Sequence, residues 1–162
     1  FPYTTLFRSV GLTMIAGLNR LNRGPTRVLT EIPVRLLYVS RAKSPQTTTV
    51  TTSILLQAQV HNRVLGISGL LCQGQGFYLQ VLEGDRSKVN ALFLRICADP
   101  RHKDVELLRY EEIAQRRFSH WSMALVKMQQ PMFDPYSASG EEVMQLLDRL
   151  VESGQPITAP DA

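Results

Sequence analysis

Several features that would assign a chemistry are scarce in this sequence of 162 residues. Cysteine occurs only at Cys72 and Cys97, each in an apolar stretch without a second thiol or histidine at metal-ligand spacing. A disulfide framework and a zinc site are therefore not expected, and both thiols are predicted to be buried structural residues. Because His61, His102 and His120 are scattered along the chain, no other metal site is predicted.

Long apolar runs and catalytic signatures are missing as well. No run approaches the roughly 18 residues that a membrane-spanning helix needs. No Gly-x-Ser-x-Gly elbow, cysteine–histidine pair or phosphate-binding glycine loop occurs. Hydrophobic residues make up 44% of the chain and charged residues 20%, which is typical of a globular protein with a single core.

Acidic residues are outnumbered by basic ones, but the excess of positive charge is local. The formal charge is +4, and residues 1–33 hold four arginines against one acid, which leaves 14 basic and 13 acidic residues elsewhere. A nucleic-acid partner is therefore not predicted, because its binding needs a basic folded surface. The aromatic-rich signature of an RNA-binding sheet is also missing, since Phe77 and Tyr78 point to opposite faces of their strand.

The first 33 residues are predicted to be a leader that precedes the fold. Residues 1–9 resemble the translation of a sequencing adapter, and Met14 is the first plausible initiator. Glycine and proline at 24–25 mark a linker. We therefore expect a folded domain over residues 34–128, followed by a C-terminal extension and tail over 129–162.

Hydrophobic periodicity predicts five strands and three helices. The strands are expected over residues 34–40, 67–72, 77–82, 105–110 and 118–126. The helices are expected over about residues 48–62, from the capping segment 84–87 to Asp99, and from the cap Ser139 to Gly154. The third helix carries Glu141 and Glu142 in its first turn, where they favour the positive helix end, and an apolar stripe over 143–151.

The order of these elements predicts an α+β fold. A β-α-β-β-α-β series is the ferredoxin-like arrangement, here with an added fifth strand and a C-terminal helical cap. Right-handed crossovers place the first two helices on one face of the sheet. The third helix is then expected to cover the other face.

Two polar side chains stand in strands that are otherwise apolar. Gln80 lies between hydrophobic neighbours, and alternation places it on one face with Tyr78 and Leu82. A buried amide needs hydrogen-bond partners or costs about 1–3 kcal/mol. Tyr38 in the first strand needs a partner too, and two central strands would bring it to Gln80.

Taken together, these segments resemble the BLUF family of flavin-based blue-light sensors, in its short single-domain form. The resemblance runs from about Val34 to Met128. Its landmarks are Leu-Leu-Tyr38-Val-Ser40, His61-Asn62, Gly66-Ile-Ser-Gly-Leu-Leu, Gly76-Phe-Tyr-Leu-Gln80-Val-Leu-Glu-Gly84, Asp99-Pro-Arg101-His102-Lys-Asp-Val and Arg116-Arg-Phe-Ser-His-Trp121-Ser-Met123. The order and spacing of these landmarks are specific to the family.

The resemblance implies that FAD is held between the two helices on one sheet face. It matches Tyr38 with the tyrosine that passes an electron and a proton toward the excited flavin. It matches Gln80 with the glutamine that bridges this phenol to the flavin and changes its hydrogen bonds. The last-strand pair Trp121 and Met123 is implied to transmit the signal. The remaining implied cofactor contacts are Asn62, His61, Ser40, Arg101 and His102.

The resemblance therefore implies a cytoplasmic photosensory flavoprotein without an attached catalytic domain, which signals through a separate protein. Residues 129–153, as a helical cap on the open sheet face, are expected to offer a surface for output or homo-oligomerisation. Neither a membrane nor a nucleic acid is expected as a partner. Two alternatives are a light-insensitive flavin-binding module and, less favoured, a small ferredoxin-like hydrolase of the acylphosphatase type. Such a hydrolase needs an arginine-bearing phosphate cradle, which the sequence does not show, although phosphatase activity lost on Arg101→Ala would count for it.

Overall fold

The protein was analysed as a computed structural model that describes residues 30–128 and 134–153. Within these ranges the chain forms five strands and three helices in the predicted order. The elements are β1 (Pro33–Ala42), α1 (Thr48–Leu65), β2 (Ser68–Gly74), β3 (Phe77–Asp85), α2 (Arg86–Ala98), β4 (His102–Glu112), β5 (Ala124–Lys127) and α3 (Gly140–Ser153).

The strands form one mixed sheet in the order β4-β1-β3-β2-β5. Strand β1 pairs antiparallel with β3 and with β4, and β2 pairs antiparallel with β3. Strand β5 joins the open edge of β2 in parallel. The first four strands therefore have the predicted ferredoxin-like arrangement, and the α+β fold with a fifth strand is confirmed.

Residues at the helix ends determine where the helices start and stop. Thr47 caps α1 by accepting a hydrogen bond from the backbone of Val50 at 3.3 Å. Helix α1 continues beyond its predicted end to Leu65, because Gly66 adopts a left-handed conformation with φ of 66° and terminates it. At α3, Ser139 caps the helix as the sequence predicts, and Glu142 in turn accepts from the backbone of Ser139.

The two faces of the sheet carry separate cores. One core packs against α1 and α2 and contains Tyr38, Leu55, Leu71, Tyr78, Leu82, Val89 and Met123. The other packs against α3 and contains Leu37, Val39, Leu70, Leu79, Val81, Val143, Leu146 and Leu147. The predicted distribution of helices, with α1 and α2 on one face and α3 on the other, is therefore confirmed.

The predicted strand over 118–126 is wrong in its first half. Residues 118–123 turn before β5 begins at Ala124. Their backbone groups bond outside a regular ladder: the N–H of Phe118 donates to the buried carboxylate of Glu83 at 2.9 Å. The apolar spacing of this segment indicated a strand, but the partner that redirects it lies far away in sequence.

The expectation of two buried thiols is also wrong for one of them. Cys72 is buried, and burial raises the pKa of its thiol to about 12, so it is inert. Cys97 is exposed on α2, because it lies outside the stripe that faces the sheet. The leader up to residue 29 and the predicted stop at Gly154 lie outside the described residues.

Candidate functional site

A cavity of about 540 Å3 opens between α1 and α2 above the central strands. Its size is within the range of pockets that hold small molecules and cofactors. The lining residues come from both helices, from β1 to β3 and from the start of β4: Tyr38, Ile54, Gln57, Ala58, His61, Asn62, Leu71, Tyr78, Gln80, Leu92, Arg95, Ile96, Ala98, Asp99, Arg101 and His102. Aliphatic walls and a few polar groups fit a flat, partly polar ligand.

The floor of the cavity is a tyrosine–glutamine pair. Tyr38 and Gln80 are register partners on β1 and β3, and the Tyr38 hydroxyl donates to Gln80 Oε1. Gln80 Nε2 makes a weak hydrogen bond to Met123 Sδ at 3.5 Å. Burial raises the pKa of Tyr38 well above its ordinary value, so the phenol keeps its proton and acts as the donor.

Asn62 and His61 stand at the α1 wall in different environments. Asn62 is buried, and its Nδ2 donates to the carbonyl of Ser122 at 2.9 Å. Within the described parts of the chain its Oδ1 has no partner, which leaves an acceptor at the cavity wall. His61 is exposed, with Nε2 3.3 Å from Nη1 of Arg95 on α2.

His102 and Ser40 lie at the opposite end of the cavity. The His102 ring packs on Tyr78 at 5.0 Å, and its Nδ1 is 2.7 Å from Ser40 Oγ. Burial lowers the pKa of His102, so its imidazole is neutral near pH 7. Ser40 is completely buried beneath His102 and does not line the cavity, so it can act on a ligand only through His102.

The cationic groups of the cavity lie at its mouth. Arg101 Nε is 3.0 Å from both carboxylate oxygens of Asp99. Although burial opposes ionisation of Asp99, the hydrogen bonds from Arg101 lower the pKa of its carboxyl. Arg95, which the sequence analysis missed, adds a second guanidinium from α2.

The structure separates Trp121 from Met123. Met123 is buried in the core under α1 and α2, beside Gln80. Trp121 is half-buried against the α3-side core, with its ring stacked on Phe118 at 6.4 Å. Neither residue lies in β5, and only Met123 contacts the tyrosine–glutamine pair.

One further polar residue near the site was missed. Gln59 is buried on α1, and its Nε2 donates to the carbonyl of Met123 at 2.9 Å. The signal available was its spacing of three residues from Asn62, which places both amides on one helix face. Its partner, the carbonyl of Met123, lies in the segment predicted to be a strand. Carbonyls within a strand bond to the neighbouring strand, so no side-chain donor was expected for it.

A protein-family comparison decides the identity of this domain. The model of the family described as BLUF, sensors of blue-light using FAD, matches residues 34–124, more than half of the chain. The chain belongs to the BLUF family. It is a blue-light sensor domain that binds flavin, and the family match supports this function rather than the hydrolase alternative.

Individual relatives agree with this assignment. The photoactivated adenylate cyclase subunit beta of Euglena gracilis is 32% identical over 91 residues, which cover 55% of this chain and 11% of that protein. This chain therefore spans about a tenth of the length of the curated relatives that it matches.

Two solved structures superpose on the domain. BlrB, a BLUF protein in its dark state, is 32% identical with a TM-score of 0.67, covering 76% of this chain and 97% of its own. BlrP1 of Klebsiella pneumoniae, described with FMN and cyclic diGMP, is 27% identical with a TM-score of 0.57, covering 77% of this chain and 31% of its own.

The cavity of this BLUF domain has the chemistry that a flavin requires. The aliphatic walls, which include Ile54, Leu92 and Ile96, suit a flat aromatic ring system. The Asn62 acceptor suits a ring N–H, and the arginines at the mouth suit phosphate. Among residues 30–128 and 134–153, no helix is long and apolar enough to cross a membrane.

Proposed function

We propose that the domain binds FAD non-covalently in the cavity between α1 and α2, and that Tyr38 and Gln80 are its photoactive pair. A bound flavin supplies the absorption of blue light and a nearby electron acceptor. Tyr38 would pass an electron and its hydroxyl proton toward the bound flavin, and Gln80 Oε1 accepts the hydrogen bond of that hydroxyl. The direct bond between these two side chains is the observation that carries the proposal.

An amide suits this role because it offers a donor and an acceptor without a charge. Gln80 directs its Oε1 to Tyr38 and its Nε2 to Met123. Reversal of the amide exchanges these two groups, so the bond to Tyr38 and the contact with Met123 change together. A local change of hydrogen bonds thus reaches the segment that carries Met123 and Trp121, as in other ligand switches.

We assign the remaining contacts by their places in the cavity. Asn62 holds the polar edge of the flavin through Oδ1, and His61 packs beside the ring system. Arg101 and His102 lie toward the ribityl and phosphate side, and Ser40 orients His102. We assign FAD as the flavin, with Arg95 and Arg101 as the cationic groups nearest to its phosphates.

The cofactor assignment is tested by identifying what the purified protein releases on denaturation. We expect FAD, and we expect Asn62→Leu to weaken FAD binding by about tenfold, as loss of one buried hydrogen bond predicts. Leu56→Ala is the control, since Leu56 lies on the exposed side of α1. Release of FMN, or equal binding by Asn62→Leu, contradicts the assignment.

For the output, we propose that the domain has no catalytic activity of its own and signals through a separate protein. The leader over 1–33, the flavin domain over 34–128 and the extension over 129–162 form the proposed division of the chain. The apolar stripe of α3 packs on the sheet through Val143 and Leu147, as expected of a helical cap. A homo-oligomer or partner contact falls instead on the outer side of α3.

Substitution of the exposed Gln145 and Arg149, on the outer side of α3, tests this output without uncovering the core. We expect a change in the oligomeric state or in light-dependent partner binding, measured by light scattering and pull-down in darkness and light. If both are unchanged, α3 has no part in output. A cytoplasmic location stays a prediction, which fractionation of native cells tests.

A further inference from the structure

Three consecutive carbonyls of the turn before β5 are each held by a different donor. The carbonyl of Trp121 accepts from the backbone of Gly69 at 3.1 Å. The carbonyl of Ser122 accepts from Asn62 Nδ2, and that of Met123 accepts from Gln59 Nε2, both at 2.9 Å. Two of the three donors are thus amide side chains of α1.

We call these three hydrogen bonds the clamp on residues 121–123. They replace the ladder of backbone hydrogen bonds that a strand would provide. Residues 118–123 turn instead of pairing, so their buried carbonyls need partners from elsewhere. Met123 is 1% exposed, and without Gln59 its carbonyl would lose a partner that water cannot easily replace. The segment would then shift toward another donor.

Gln59 differs from Asn62 in its relation to the cavity. Asn62 lines the cavity, whereas Gln59 is not among the residues that line it. Gln59 holds the same residue whose sulfur is 3.5 Å from Gln80 Nε2. The backbone position of Met123 therefore determines whether its thioether reaches the amide of the photoactive pair.

We propose that Gln59 is a positioning residue of the light response: its amide holds the Met123 carbonyl and thereby keeps the Met123 thioether against Gln80. This proposal rests on the proposed roles of Tyr38 and Gln80. Gln59 touches neither of them and acts only through Met123.

The chain offers a matched control for this role. Gln73 is a second buried glutamine on the same sheet face, and its Nε2 donates to Thr51 Oγ1 of α1 at 2.6 Å. It joins α1 to β2, and among the described residues its side chain makes no hydrogen bond to residues 121–123. Gln59→Met and Gln73→Met thus each remove one buried amide donor at nearly constant volume.

Trp121 allows the clamp to be observed without photochemistry, because it is the single tryptophan of the sequence. In the purified full-length protein in darkness, we expect Gln59→Met to raise the acrylamide quenching constant of Trp121 by about twofold, and Gln73→Met to leave it unchanged. An unchanged constant in Gln59→Met, or equal changes in both variants, overturns the proposal.

The kinetic measurement follows the return of the absorption spectrum after a blue pulse. Gln59→Met should change the recovery rate by about two- to tenfold, as loss of one hydrogen bond predicts, and Gln73→Met should not. In a Met123→Leu background the effect of Gln59→Met should vanish, because the thioether is gone. An effect that persists there shows that Gln59 acts by another route and overturns the proposal.

A second variant covers the case in which Gln59→Met does not fold. In Gln59→Glu the ionised carboxylate cannot donate, whereas the protonated carboxyl can. Quenching of Trp121 should therefore fall toward the wild-type value as the pH is lowered, and a quenching constant that stays raised at low pH overturns the proposal. If the wild type shows no light response, the proposed function fails, while the quenching measurements still decide whether Gln59 holds the segment.

Discussion

The two faces of the sheet have different roles, and alternate residues of the same strands point to each face. On β1, Leu37 and Val39 face α3, whereas Tyr38 between them faces the cavity. On β3, Leu79 and Val81 flank Gln80 in the same way. The α3 face is packed with aliphatic side chains, while the cavity face buries hydroxyl and amide groups. Stability and light sensing are therefore expected to respond to different substitutions.

The largest difference between the effect on light sensing and the effect on stability is expected from Tyr38→Phe. This change removes the hydroxyl that bonds Gln80 but keeps the ring that packs on Phe93. We expect complete loss of the light-induced spectral shift and a destabilisation of about 1 kcal/mol. Illumination spectra and urea unfolding measure the two effects, with Tyr110→Phe on β4 as the exposed control. A normal shift in Tyr38→Phe would remove Tyr38 from the photoactive pair.

Leu147→Ala should give the reverse result on the α3 face. Leu147 is fully buried there, and its truncation is expected to cost about 2–5 kcal/mol of unfolding free energy. The light-induced shift should stay the same, because the cavity lies across the sheet. Leu56→Ala, at an exposed position, should cost less than about 0.5 kcal/mol. If the Leu147→Ala variant folds but loses the shift, the two faces are not independent.

Glu83 is the exception on the α3 face, since it is a fully buried charge. Its carboxylate accepts from Arg35 Nε at 2.7 Å and from the backbone of Phe118 at 2.9 Å. Glu83→Gln keeps the shape but weakens both bonds, so we expect a destabilisation of about 1–3 kcal/mol. Urea unfolding measures it, and an unchanged stability would mean that Arg35 is satisfied by Glu111 alone.

The smallest effect is a pH dependence from His102. Burial lowers its pKa below the ordinary value of 6.5, so the unfolded chain takes up the proton first as the pH falls. The stability that the neutral ring contributes is present above about pH 6.5 and is lost as the pH falls through the lower folded value. His102→Gln should flatten the dependence of the urea midpoint between pH 5 and 7. An equal slope in both proteins would contradict the assignment.

A contact could be predicted from the sequence where the regular pattern of two strands places both partners, and not where a side chain meets an irregular segment. The pairing of Tyr38 with Gln80 follows from two central strands and alternation, both visible along the chain. The clamp on residues 121–123 was not predictable, because Gln59 bonds a carbonyl of an irregular turn, 64 positions away, that no periodic pattern marks. The turn at Phe118 likewise depends on Glu83, 35 positions away. Apolar spacing in that segment favoured a strand, and only the folded neighbours reveal the turn.

The central claim is that the light response depends on the hydrogen bond between Tyr38 and Gln80 on the cavity face. The most direct test is the absorption spectrum of Gln80→Leu beside the wild type, in darkness and immediately after blue illumination. We predict a bound-flavin spectrum in both proteins, with a small reversible red shift in the wild type alone. Gln73→Leu, which removes another buried amide from the same face, should keep the shift. A Gln80→Leu protein that shifts like the wild type would contradict the claim.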